Sequence, residues 1–266
     1  MIDGGQRLLL KRAGDKMRLT MSDTRHARWA RVCHWVAAAS ILALAVTGYV
    51  MLMTNPRLYW GEVGNALTPA LLELPISRNY RHGGWQGQTP ILDGAPSVIS
   101  ASRTFEIFNQ NGWGRSLHFL AAWIAVITGI VYLIGGVASG HFRRRLLPRL
   151  TEIGPHHLWA DVVRHLRRQV PRATGGPDYG LLQKCAYSLV IFVLLPLTVV
   201  TGLAMSPRIT AAVPVLGSLF SGFQSARTIH FAAFVVLTLF ALGHVVMVAT
   251  TGFGRHMRGM TIGERR

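Results

Sequence analysis

The sequence predicts an all-α integral membrane protein, a four-transmembrane-helix bundle with a long periplasmic loop between helices 1 and 2. Three observations lead there. Of 266 residues, 50% are hydrophobic and only 15% charged, where a soluble domain carries about a quarter charged residues. The apolar residues fall into four charge-free windows, Trp35–Met53, Ser116–Gly140, Cys185–Met205 and Thr228–Gly254. Each is long enough to cross a hydrocarbon core that about 20 helical residues span. Finally, Lys and Arg are unevenly placed. Eight precede the first window, nine lie between the second and third, and four follow the last, so 21 of 28 share one side. The positive-inside rule makes that side the cytoplasm, with both termini there and a bacterial inner membrane as the location. The net charge of +17 is thus a topology signal: lipid is the expected surroundings, and no nucleic-acid partner is expected.

In chain order, residues 1–29 read as a basic cytoplasmic arm, disordered before Met21, which also offers a second start. Residues 30–254 hold the bundle. No small-residue cleavage site follows the first span, so it reads as a retained anchor. Asn55-Pro56 closes that span and Ser206-Pro207 closes the third, as helix-stop signals do. Residues 54–114 are too long for a mere connection and read as a periplasmic cap. The cap carries Trp60, Trp85 and Trp113, an amphipathic helix expected near Glu62–Leu74, and a surface suited to docking a partner. Residues 141–184 form a basic cytoplasmic loop and 255–266 a cytoplasmic tail. Pro196 is expected to kink the third span. Cys33 and Cys185 imply no disulfide framework, and neither stands in a C-x-x-C-H site for covalent haem attachment. A Thr-Gly pair recurs in every span, at 47–48, 128–129, 201–202 and 251–252. It reads first as small-residue helix packing, and also as room for a flat cofactor.

Eleven histidines are present. Seven (His26, His82, His141, His156, His157, His165 and His256) fall in loops or tails, where a solvated ring is the default; His156-His157 offers a weaker metal-binding alternative. His34, His118, His230 and His244 lie in or beside the apolar windows, where an ionisable side chain is costly and marks a function. The orientation of the spans sorts them by depth. His34 and His244 fall toward the cytoplasm, His118 and His230 toward the periplasm. His230 and His244, fourteen residues apart, return to within roughly 40° of one helix face and are separated by ~21 Å along it. Each level therefore pairs one residue of the fourth helix with one of another helix. This is bis-histidine ligation of two stacked haems by a bundle, b-type because no thioether site exists. Cross-helix polar packing is the bland alternative, and a proton pathway would bring carboxylates, yet none of the 11 Asp and Glu lies in a span.

Three of the candidates share Arg-x-x-His: Arg31 with His34, Arg115 with His118, Arg227 with His230. Residues three apart share a helix face, so these arginines are expected at haem propionates, as charge-assisted partners. Snorkelling toward water explains any one of them equally well.

With these motifs the sequence resembles the membrane cytochrome b subunits of nickel-iron hydrogenases, formate dehydrogenase and thiosulfate reductase. The likeness covers roughly 25–53, 116–140 and 185–254. It rests on His34 in "RHARWARVCHWVAAASILALAVTGY", His118 in "GWGRSLHFLAAW", and the His230/His244 pair. The resemblance implies two haem b groups on these four histidines and electron transfer between membrane quinone and a periplasmic redox enzyme. It also places the quinone site near the cytoplasmic haem, where Arg28, Arg31, Trp35 and Arg255 are candidates. The segments "NPRLYWGEVG", "FNQNGWGRSLHF" and "LAMSPRITAA" look more like the branch that accompanies sulfite-oxidase-like periplasmic molybdopterin enzymes.

The leading reading is an electron-transfer subunit of an oxidoreductase complex, since two strong axial ligands leave an iron no open position. The alternatives are a stand-alone quinone-linked oxidoreductase acting on superoxide or a ferric chelate, and the b-type subunit of a nickel-iron hydrogenase. A solute or ion transporter would carry no haem.

Overall fold

The computed structural model describes residues 27–65, 68–76, 111–148, 154, 156, 159–160, 163 and 180–262, with backbone alone for 111, 144, 145 and 255. Most of the basic arm, of the outer cap and of the inner loop lies outside the described residues. His26, His82, His157 and His165 lie outside them too.

Helices dominate the described residues. Helix α1 (Arg28–Thr54) is the first span. At ~1.5 Å per residue its 27 residues reach about 40 Å, enough for a core of about 30 Å. It ends where Asn55-Pro56 predicts. A short antiparallel ladder follows, β1 (Arg57–Leu58) with β2 (Leu72–Glu73). Helix α2 (Asn111–Ala138) is the second span, and a π-helical turn, Phe142–Leu146, follows it. The third span, Leu181–Ala204, is built from α3 (Leu181–Leu189), a π-helical turn at Val190–Leu194 and α4 (Leu195–Ala204). Two short helices, α5 (Pro207–Ala212) and α6 (Val215–Leu219), lead to α7 (Phe223–Thr261), which contains the fourth span. The chain is a multi-pass, all-α membrane protein. Hydroxyls inside the spans return their proton to a carbonyl of the preceding turn, as at Ser40 to Val36, Thr128 to Ile124 and Thr238 to Phe234. In lipid no water would satisfy them.

Two sequence expectations take a different form. At Pro196 a π-helical turn, Val190–Leu194, stands just before the proline. Proline has no N–H for the preceding turn, and the ladder there shifts to i→i+5 spacing, with the Leu195 N–H donating to the Val190 carbonyl. The amphipathic helix expected near Glu62–Leu74 does not form among the described residues of that segment, and this is a correction. Gly61 takes φ 96°, a conformation glycine tolerates, and the chain folds back so that Arg57 pairs with Glu73 and Leu58 with Leu72. The Arg57 guanidinium donates from Nε (2.9 Å) and Nη2 (2.5 Å) to Glu73 Oε1. It also lies 5.7 Å from the centre of the Tyr59 ring. Gly64 gives that ring its space, since a Cβ there would stand 2.3 Å from Tyr59 Cδ2.

The described chain divides into two compact units, one within residues 33–65, 68–76, 111–133 and 187–243, the other within residues 27–32, 134–148, 180–186 and 244–262. In the first unit the outer segment caps the start of α7. The N–H groups of Gln224 and Ser225 donate to the Gly61 carbonyl (3.0 and 3.2 Å), and that of Phe223 to Glu62 Oε2 (3.1 Å). These are the orphan donors of a helix N-terminus, and a carboxylate there also meets the positive end of the dipole. Ser225 Oγ accepts from the Gly61 N–H (2.6 Å), and Thr228 Oγ1 donates to the Tyr59 carbonyl (2.6 Å).

In the second unit the Trp29 ring packs on Gly135, where a Cβ would be 3.0 Å away, and meets His141 edge-on. Arg31 Nη1 donates to the Thr261 carbonyl (3.0 Å) and Gln183 Nε2 to Met247 Sδ (2.9 Å). Helix α7 breaks at Gly252, with φ 126° and ψ 71°, so the residues read as a tail begin as a further helical segment reaching Thr261.

Candidate functional site

Helices α2 and α7 bring His118 and His230 together. His118 is the eighth residue of α2 and His230 the eighth of α7, so equal lengths of helix separate both rings from the helix starts. The ring centroids are 6.5 Å apart, with planes at 57°. Two imidazoles bound through one nitrogen each to a shared first-row metal, at about 2.0–2.1 Å per bond, stand with centroids roughly 6.3 Å apart. The observed spacing suits an ion between them.

Each ring is held from behind in the same way. His118 Nδ1 lies 2.9 Å from Thr47 Oγ1 of α1, and His230 Nδ1 lies 2.9 Å from Thr201 Oγ1 of α4. Both hydroxyls are fully buried. Their protons are committed: Thr47 Oγ1 is 2.6 Å from the Ala43 carbonyl, and Thr201 Oγ1 is 2.7 Å from the Leu197 carbonyl. A hydroxyl has one proton, so toward the imidazole each threonine accepts, and Nδ1 carries the hydrogen. That leaves Nε2 with its lone pair, the form in which a neutral histidine binds metal. The neighbouring glycines lie beside the ring edges. A Cβ at Gly48 would be 3.6 Å from His118 Cε1, and one at Gly202 would be 3.6 Å from His230 Cε1.

Thr47 and Thr201 are the residues that sequence reasoning missed. The recurring Thr-Gly pair is their signal in the sequence, where it reads first as helix packing and also as room for a flat cofactor.

No group of three or more His, Cys, Asp or Glu suited to a metal gathers among the described residues. A two-imidazole site is half of a tetrahedral zinc site. It is complete for a metal whose other four positions come from a planar ring, as in haem. The donor set, the spacing and the tautomer therefore fit an axial pair.

The other sequence candidates are distributed as follows. His34 sits in α1, half-buried, with Trp35 edge-on at 5.3 Å. His244 sits in α7, also half-buried. The first belongs to the outer-histidine unit and the second to the other. Arg227 Nη1 donates to the Arg57 carbonyl (2.9 Å), and its Nη2 donates to the Asn55 carbonyl. Both terminal nitrogens thus tie the outer segment to α7, and a propionate there would have to share them. Arg115 is exposed. Arg31 keeps a buried Nε, and Tyr49 a buried Oη, with no hydrogen-bond partner among the described residues. Arg28 is exposed at the start of α1, and Arg255 lies beyond Gly252 with its side chain outside the description. Cys33 and Cys185 are free.

The chain is similar to a protein of Azospira oryzae named "Putative protein-methionine-sulfoxide reductase subunit YedZ1". They are 25% identical over 224 residues, 84% of this chain and 89% of that one. No solved structure matches significantly. Residues 25–263 match the family described as Prokaryotic cytochrome b561, and with four spans and a facing pair of intramembrane imidazoles, the chain belongs to that family of b-type haem membrane proteins.

Proposed function

We propose that this protein is a dihaem electron-transfer subunit that passes electrons between membrane quinone and a redox enzyme at the outer face of a bacterial inner membrane. The observation that carries the reading is the His118–His230 couple, 6.5 Å between centroids with both Nδ1 atoms anchored. His118 and His230 would hold the outer haem, and His34 and His244 the inner one. Haem supplies one-electron exchange between ferric and ferrous iron, without bond making at the metal when both axial positions are filled.

The chain's own groups do the rest. Histidines from two helices would hold each iron, and the apolar faces of the spans exclude water. Arg31 is the candidate for an inner propionate, a role that its buried Nε, without a partner among the described residues, supports; Arg115 and Arg227 are the outer candidates. Arg28, Arg31, Trp35 and Arg255 stand at the cytoplasmic end of the sequence map, where quinone would exchange electrons. Both termini are cytoplasmic by the Lys and Arg distribution.

The outer partner is a soluble oxidoreductase, and a molybdopterin enzyme is the class the sequence motifs favour. The similarity to a chain named as a subunit of a protein-methionine-sulfoxide reductase supports a partner that reduces oxidised methionine, a two-electron step that yields methionine and water.

Haem stoichiometry tests this directly. Purified protein is expected to hold two haem b per chain. His118→Ala and His230→Ala should each lower this to one, removing the same optical component, while His34→Ala and His244→Ala remove the other. A colourless protein, or removal of different components by His118→Ala and His230→Ala, would sink the assignment.

A further inference from the structure

We propose that Thr47 and Thr201 are positioning residues for the outer haem ligands, setting the tautomer of His118 and His230 and tuning the reduction potential of the iron between them. The proposal rests on the reading that these two histidines share an iron. Its own support is the repeated geometry. Two threonines on different helices, both wholly buried, stand 2.9 Å from the Nδ1 atoms of the two rings. Each has spent its only proton on a carbonyl four residues back. A hydroxyl so committed offers the imidazole a lone pair and nothing else. The Nδ1-deprotonated tautomer would face that lone pair with another, and in a water-free span nothing would relieve the clash. The ring is thereby fixed with Nε2 as the only nitrogen for a metal.

Gly48 and Gly202, each next to its threonine, let Cε1 approach the helix backbone, and a Cβ would already reach van der Waals contact at 3.6 Å. A hydrogen bond from Nδ1–H to an acceptor also raises the basicity of the ligating nitrogen. More electron density on Nε2 favours the ferric state, so the two threonines hold the outer potential down. The arrangement is doubled. The first span supplies the acceptor for the second, and the third supplies the acceptor for the fourth.

The test uses the full-length protein in detergent or nanodiscs. Thr47→Val and Thr201→Val keep the shape and remove the oxygen. Each is expected to retain two haems and to move the outer haem's reduction equilibrium about tenfold toward the ferrous form, the low end of what outer-shell partners contribute. That is 59 mV upward for one electron. Altered EPR g-values for that haem alone should accompany it. Thr47→Ser and Thr201→Ser should restore both readings, and the inner haem serves as the unmoved control. Outer potential and g-values unchanged in both valine variants would overturn the proposal. Should a valine variant fail to accumulate, proton hyperfine spectra of the native ferric protein in H2O and D2O decide: one exchangeable Nδ1 proton per axial ring is expected, and its absence overturns the proposal. Failure of the shared-iron reading looks different, because His118→Ala would then leave haem content untouched.

Discussion

At the scale of single residues, the same dipeptide does three different jobs, and only neighbours from distant sequence decide which. Thr47-Gly48 and Thr201-Gly202 each face a histidine. Thr128 returns its proton to Ile124, and a Cβ on Gly129 would meet nothing within 4 Å. Thr251 meets His256 at 3.0 Å, and Gly252 breaks the helix. Arg57 shows the same dependence on context and gives a stability prediction. Its side chain and that of Glu73 are 8% and 10% exposed. Removing one member of a buried pair strands the other charge at about 3–5 kcal/mol, whereas replacing both with apolar groups is often neutral. Arg57→Met should therefore lower the unfolding temperature of the purified protein by several degrees, and Arg57→Met with Glu73→Leu by much less. Thermal unfolding followed by tryptophan fluorescence checks this, and equal losses in the single and double variants would deny the pair its role.

At the scale of elements, the spans were legible in the sequence because lipid imposes one rule along a whole segment. Charge-free length predicts a helix whatever its neighbours do, and the proline-bearing stops at 56 and 207 fall where α1 and the third span end. His118 and His230 were legible as ligand candidates for the same reason, since an imidazole in an apolar window stands out. The outer segment obeys no such rule. Glu62–Leu74 has helix-like spacing of apolar residues, but the Gly61 turn, the Arg57–Glu73 pairing and the need to cap α7 outweigh it. The break at Gly252 was hidden because glycine also serves packing. Its φ of 126° is one that a side chain resists, at an expected cost of about 1–3 kcal/mol. Gly252→Ala should thus destabilise the protein or straighten α7. Straightening would carry the Thr261 carbonyl away from Arg31 Nη1, now 3.0 Å distant. A spin-label distance from position 31 to position 262 would then lengthen, and an unchanged distance with unchanged stability would show that the break is not a constraint.

At the scale of the whole molecule, orientation in the membrane decides which iron meets which partner. If the Lys- and Arg-rich side faces the cytoplasm, the His118–His230 couple faces the outer compartment. A reversed chain would present the same histidines to the cytoplasm and exclude a periplasmic enzyme from them. Val215 and Ile262 allow the choice to be measured. They are 64% and 69% exposed, and one span, Phe223–Gly254, separates them in sequence. With Cys33 and Cys185 replaced by alanine, Val215→Cys should react in intact spheroplasts with a membrane-impermeant thiol reagent. Ile262→Cys should react only after the membrane is opened. Haem content of both variants must match the parent, so that labelling reports the native arrangement. The opposite labelling pattern would place the clamped histidine couple on the cytoplasmic side, and the outer-enzyme reading would fall while the haem assignment stood.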